Sequence, residues 1–212
     1  MDEINELIDN YSIESLGNCL QCDKKIQTSE LYSTYKICHN CNFHFYIKPY
    51  ERINLLTDRK SYVEFNQELP NEFNYIYDKY PDYAKRAQKD TERTGLNDSV
   101  LTGYASIGGN RCILIILDFS FMGGNLGLIS GEKISLAIDL AVSKKLPIVS
   151  IISSSGTRFE EGMISIMQMA KITLSMANAK KSNIPSISLL TNPCTGQAYA
   201  TLATFSDIIM SE

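Results

Sequence analysis

Two Cys-x2-Cys pairs, Cys19/Cys22 and Cys38/Cys41, stand fifteen residues apart and constrain this chain more than anything else it carries. Two residues between cysteines let a tight turn aim both sulfurs at one point, and a second such turn completes a tetrahedron. Four thiolates leave no position open for water. The ion this set predicts is therefore structural, one Zn2+ per subunit, helping to fold a segment too short to build its own core. Disulfides are the competing use of cysteine. Against them, the first residues carry Asp2, Glu3, Glu6, Asp9 and Glu14 and lack the basic flank and apolar stretch of a secretory leader, which favours a reducing compartment.

His39 and His44 are the only histidines, and with four sulfurs available both read as surface or packing residues. Between Asp23 and Lys60, seven basic residues face four acidic ones, interleaved with Tyr32, Tyr35, Phe43, Phe45, Tyr46 and Tyr50. Such a ribbon can bind nucleic acid, or the aromatics can form a small core under a solvated face; the second is the default. A net charge of −4 supplies no whole-chain pull toward nucleic acid or an anionic membrane. The longest apolar runs, 112–117 and 146–152, are too short to cross a bilayer, so no membrane insertion is expected.

The sequence divides into an N-terminal tail (1–17), the ribbon (18–48), a connecting region (49–97) and a core (98–212). The connecting region has helical potential over 84–94, behind a break at Pro81. In the core, strands are expected at 112–117, 147–152, 184–190 and 207–210, with helices over 132–144, from Met163 onward, and over 198–205. Met163, Ile166, Met167, Ala170, Leu174 and Ala177 recur at helical spacing and read as a core-facing stripe, with Gln168, Lys171 and Lys180 opposite. The alternation of strand, loop and helix implies an α/β class with largely parallel strands and ligands gathered where loops feed helices.

No histidine lies in that core, which disfavours a Ser-His-Asp or Cys-His hydrolase. The loops offer backbone instead. Ser155, Gly156 and Thr157 form a small-residue turn opening a helix, a source of N–H groups for a phosphate or a developing oxyanion. The glycines at 123–127 match neither a dinucleotide fingerprint nor a Walker loop. Cys112 reads as a core residue, whereas Cys194, in a loop, stays open as a nucleophile. Arg158 has two readings: it grips an anionic ligand, or it anchors the helix start against Glu160 or Glu161.

Several stretches then align with a known family. The four-cysteine ribbon, Asp118-Phe-Ser-Phe-Met-Gly-Gly-Asn-Leu-Gly127, Gly131-Glu-Lys-Ile134, Ser154-Ser-Gly-Thr-Arg158, Met167-Gln-Met-Ala-Lys171 and Leu190-Thr-Asn-Pro-Cys-Thr-Gly196 occur in an order that resembles the β subunits of acetyl-CoA carboxylase carboxyltransferase, from about Asn18 to Glu212. The resemblance implies a crotonase-type (ClpP/crotonase) spiral of ββα units behind an N-terminal four-cysteine zinc ribbon. It implies transfer of a carboxyl group from carboxybiotin, supplied in trans on a biotin carboxyl carrier protein, to acetyl-CoA, giving malonyl-CoA for fatty acid biosynthesis. Further implied partners are the carboxyltransferase α subunit, in an α2β2 hetero-oligomer, and biotin carboxylase.

By the same resemblance, the backbone amides of Ser155, Gly156 and Thr157 form the oxyanion hole, while Phe121, Met122, Gly123, Gly124, Arg158 and Gly196 lie at the substrate. Three departures stand out. Ser155 and Gln197 occupy positions where the family carries glycine, and the resemblance runs out at Glu212, ahead of the family's C-terminal portion. A serine at 155 is tolerable only if that residue's φ is negative. Two other classes of function remain beside the enzyme: a degenerate, non-catalytic scaffold subunit and a zinc-ribbon nucleic-acid binder. The Gly-Glu-Lys-Ile and Met-Gln-Met-Ala-Lys-Ile runs, with heavy Asn, Ile, Lys and Tyr usage, look most like plastid-encoded members; the expected location is the plastid (chloroplast) stroma, with the bacterial cytoplasm as the alternative.

Overall fold

Cys19 and Cys38 each open a knuckle of the same design. In the computed structural model, which describes residues 17–26, 29–69 and 75–212, the Asp23 N–H donates to Cys19 O at 2.8 Å and the Asn42 N–H to Cys38 O at 2.9 Å. Asp23 and Asn42, each four residues after its cysteine, take positive φ (55° and 59°), a conformation Asn and Asp tolerate well. Between the knuckles lies α1 (Glu30–Tyr35), and after them α2 (Pro49–Leu56). Cys19, Ile26, Cys38 and Phe45 form the core of this unit, Met1–Leu55. Tyr32 and Phe43 meet Phe45 edge-on, ring centroids 5.2 and 5.0 Å away, so these aromatics fill the interior, while Tyr35 and Tyr50 are exposed. Residues 1–16 of the expected tail lie outside the described residues.

The second unit, Leu56–Glu212, is built on one six-stranded sheet. Its strands are β1 (Val63–Phe65), β2 (Val100–Ile107), β3 (Asn110–Leu117), β4 (Ile148–Ser154), β5 (Ser186–Cys194) and β6 (Ile208–Ser211), adjacent in chain order. The pairs β1–β2 and β2–β3 are antiparallel; the next three are parallel, with Ile113 opposite Ile148, Ile148 opposite Ser186, and Ile187 opposite Ile208. Two strands, β1 and β2, were not foreseen in 49–111. The β2–β3 hairpin turns on Gly108 and Gly109, whose N–H groups donate to the Asp58 carboxylate at 3.0 and 2.8 Å. The Ser106 hydroxyl, then the Gly109 N–H, hold that carboxyl below its ordinary range.

The helices are α3 (Tyr75–Lys79), α4 (Pro81–Thr94), α5 (Leu128–Lys144), α6 (Met163–Lys181) and α7 (Gly196–Ala198), which runs on as a π turn over Tyr199–Ala203. Pro81 does not break a helix; it starts one, in the first turn, where its missing N–H costs nothing. The expected connecting region is thus divided: α2 begins it, while β1 and α4 belong to the sheet unit. Ile113, Ile115, Leu117, Ile134, Ile138, Ile148, Ile152, Ile172 and Met176 make the core, each worth about 1.5–3 kcal/mol of burial.

Helix α6 overturns one expectation. Its buried positions are Ser165, Gln168, Ile172, Met176 and Ala179, whereas Met163, Ile166, Met167 and Leu174 are exposed. The helix is apolar on both sides, so periodicity did not reveal which side packs against α5 and the π turn. No helix of the described residues is long and apolar enough to cross a membrane.

Candidate active site at the ends of the parallel strands

The loops leaving β3, β4 and β5 converge through their backbones. The Ser155 N–H donates to Gly123 O at 2.9 Å, Leu126 N–H to Gly156 O at 2.9 Å, Arg158 N–H to Leu126 O at 3.0 Å, and Thr195 N–H to Ser154 O at 2.9 Å. Two glycines allow this approach. A Cβ on Gly124 would sit 2.1 Å from Ser153 O, and one on Gly196 2.9 Å from the Gly156 Cα; both residues also have positive φ, +65° and +61°. Substitution at either requires backbone to move.

The three expected oxyanion amides have different fates. Ser155's is spent on Gly123 O, and that of Gly156 donates to Ser154 Oγ at 3.1 Å. Thr157 N–H has no partner among the described residues, and Thr157 is half-buried beside exposed Ser155, Thr195 and Gly196. The expectation of three free donors is therefore corrected to one fully free, with Gly156 held by a weaker hydroxyl acceptor. Ser155 itself is unstrained, since its φ is not positive; its hydroxyl donates to Asn125 Oδ1 at 2.8 Å and lies 3.1 Å from Gly123 O. Gln197 is buried, accepting from Thr157 Oγ1 and donating to Ser165 O, both at 2.9 Å.

Arg158 is the larger correction. It is 1% exposed and reaches no ligand surface. Its guanidinium donates to Tyr83 Oη (3.0 Å), Asp98 Oδ1 (3.1 Å), Ser99 Oγ (3.1 Å) and Asn125 O (3.0 Å), and lies 3.5 Å from Glu161. Of its two readings, the structure takes the anchor, and with Glu161; Glu160 pairs with Arg86 instead. Glu161 also accepts from Tyr83 Oη at 2.7 Å and caps α5 through Leu128 N–H at 2.5 Å. Burial pushes the Tyr83 phenol up, keeping it a donor.

Phe121, Met122 and Gly124 are buried as well, leaving half-exposed Gly123 as the accessible part of its loop. That loop is held from α4: Asp90 accepts from Met122 N–H at 2.8 Å, and Arg93 donates to Ser120 O. Sequence reasoning missed Tyr83, Asp90, Arg93, Asp98 and Asn125. Their roles depend on tertiary placement, for which no short-range pattern exists. Burial pushes the Cys194 thiol up to about 11 and likewise raises Cys112, which disfavours the thiolate form at both.

In the first unit the four sulfurs lie within 4.8 Å of one another, with Cys19–Cys41 at 3.6 Å and Cys22–Cys38 at 3.8 Å. A tetrahedron of bonds of about 2.3 Å has edges of about 3.8 Å, so the donor set fits Zn2+. The Lys24 backbone N–H leads in lowering the Cys22 thiol to about 6, and Asn40 donates to both Cys22 and Cys38 sulfurs, at 3.2 and 3.4 Å. Both histidines are exposed and outside the cluster.

Residues 48–212 match the family described as the carboxyl transferase domain. The chain belongs to that family. It is 38% identical over 196 residues to the acetyl-coenzyme A carboxylase carboxyl transferase subunit beta of Desulforamulus reducens, covering 92% of this chain and 66% of that one. The subunit beta of Rubrobacter xylanophilus is 37% identical, with 92% and 74% covered. The chain thus spans about two thirds of the length of such relatives. Among solved structures, transcarboxylase 12S matches with a TM-score of 0.61 at 20% identity over 99% of this chain and 36% of that one. A Pseudomonas malonate decarboxylase MdcD–MdcE heterodimer matches at 0.59 and 19%, over 78% and 61%. These likenesses show the crotonase-type fold that the family motifs implied.

Proposed function

We propose that this chain is the β subunit of a multi-subunit acetyl-CoA carboxylase carboxyltransferase, accepting a carboxyl group for acetyl-CoA and releasing malonyl-CoA. The observation that carries this reading is the unpaired Thr157 N–H at the junction of the β4 and β5 loops. Carboxybiotin, brought by the carrier protein, supplies the carboxyl group. A donor preorganised by the Leu126–Gly156 and Arg158–Leu126 hydrogen bonds stabilises negative charge as it grows on a thioester or ureido oxygen, without reorganising during the reaction. This unit has no histidine and burial raises the thiols of Cys112 and Cys194, so charge stabilisation by backbone is the chemistry favoured here.

The reading includes an α subunit. Phe159, Met163, Ile166, Met167 and Leu174 form an exposed apolar stripe beginning just after the Thr157 turn, and a stripe of that kind supports a protein partner. It also includes one Zn2+ held by Cys19, Cys22, Cys38 and Cys41 as a folding element, and residence in a plastid stroma or bacterial cytoplasm, supported by the residue usage. The test mixes the chain with a cognate α subunit, biotinylated carrier, biotin carboxylase, bicarbonate, Mg-ATP and acetyl-CoA. Malonyl-CoA forms only in the full mixture; none forming with both subunits folded and associated overturns the proposal.

A further inference from the structure

Gln197 is a long polar side chain, 3% exposed, with both ends of its amide engaged. Its Oε1 accepts the Thr157 hydroxyl at 2.9 Å, in the β4 loop, and its Nε2 donates to the Ser165 carbonyl at 2.9 Å, in the first turn of α6. Its own carbonyl accepts from Thr201 Oγ1 at 2.8 Å, tying it to the turn after β5. Ser165 Oγ in turn donates to Leu126 O at 2.9 Å, the same carbonyl that receives the Arg158 N–H. One side chain thus joins three segments around the Gly156–Thr157 turn. Burying an amide with both groups satisfied fixes geometry, because every alternative rotamer leaves a buried donor or acceptor unpaired.

We infer that Gln197 is a positioning residue: through Thr157 it holds the free Thr157 N–H in the orientation that meets the reacting oxygen. This rests on the carboxyltransferase reading for what the N–H does, but not for the latch itself. The latch is tested in the chain alone by residue-resolved amide hydrogen exchange. Gln197→Met keeps the volume and removes both bonds; the Leu126 and Arg158 amides should then exchange about tenfold faster, with those of 113–117 in β3 unchanged. Unchanged exchange at Leu126 and Arg158, or acceleration throughout, overturns the latch.

In the assembled complex, Gln197→Met should lower kcat, normalised to the folded complex counted by size-exclusion chromatography, about tenfold and leave the KM for acetyl-CoA within about twofold; that normalisation separates the effect from a simple loss of folded protein. Thr157→Val should show the same loss, Thr157→Ser, which keeps the hydroxyl that Gln197 accepts, should lose less than Thr157→Val, and the Thr157→Val/Gln197→Met pair should be no worse than either alone. An additive double variant, or kcat at the wild-type level, overturns the positioning role. A wild-type complex that makes no malonyl-CoA fails the carboxyltransferase reading instead, and exchange still decides the latch.

Discussion

The two units hold their loops by opposite means. The ribbon has Ile26 and Phe45 as its non-cysteine core, with Tyr32 and Phe43 leaning on them, and brings its knuckles together through four sulfurs. The sheet unit immobilises three loops with a wide aliphatic interior and a buried ionic cluster around Arg158. With a metal ion seated between those sulfurs, the first arrangement would concentrate stability in one removable group. The second spreads it over many side chains, so that its loops can carry chemistry without being the source of the fold. Loss of metal and loss of an ion pair should therefore have very different reach.

The largest effect is expected in the ribbon. Chelation or Cys38→Ser removes a binding free energy of about 10–16 kcal/mol, far more than so small a core supplies. NMR signals of 18–48 should collapse to unfolded positions while the amides of 113–117 stay protected; a ribbon that keeps its dispersion without metal would erase the contrast. Next, Arg158→Leu leaves Asp98 and Glu161 buried without their cation and should cost about 3–5 kcal/mol in urea unfolding.

Gly196→Ala should be milder, about 1–3 kcal/mol, because one backbone contact at positive φ must relax, and it should disturb the amides of 155–158 first. The smallest effect is Asp58→Asn. A carboxyl whose folded pKa is depressed stabilises the fold above its unfolded value, near 3.9, and that contribution disappears as pH falls through the folded pKa. The variant should therefore be less stable than wild type at pH 7 in thermal unfolding, with the gap narrowing as the pH falls below the unfolded value; a gap that does not narrow in acid would assign Asp58 a packing role.

What the residues disclosed in advance follows the range of the forces involved. Cysteine spacing is local chemistry and predicted the cluster directly. The run at 112–117 and the Pro147 boundary announced central strands. The hairpin partner β2 went unread although Ile107-Gly-Gly-Asn110 is a two-residue turn signal, because its strand shows no clean alternation: Val100, Leu101 and Thr102 are all buried. Arg158 looked like a ligand group because a lone arginine after a glycine turn carries no mark of burial; its partners lie up to 75 residues away. The outward Met163–Leu174 face was illegible for a simpler reason, since an apolar stripe has the same spacing whether it meets its own sheet or another protein. Ser155 could be placed only once its dihedrals were known.

At the strand ends, the chain touches itself backbone to backbone, Gly124 against Ser153 and Gly196 against Gly156. Peptide groups are common to all residues, so the frame of this junction does not depend on which side chains decorate it. The hydroxyls and amide of Ser155, Thr157 and Gln197 form a separate layer laid over that frame. Such a junction separates two tasks: the close backbone contacts fix where the loops meet, while the polar layer above them sets how the donor is aimed. A change in the upper layer retunes the site, whereas a change in the lower one takes the junction apart.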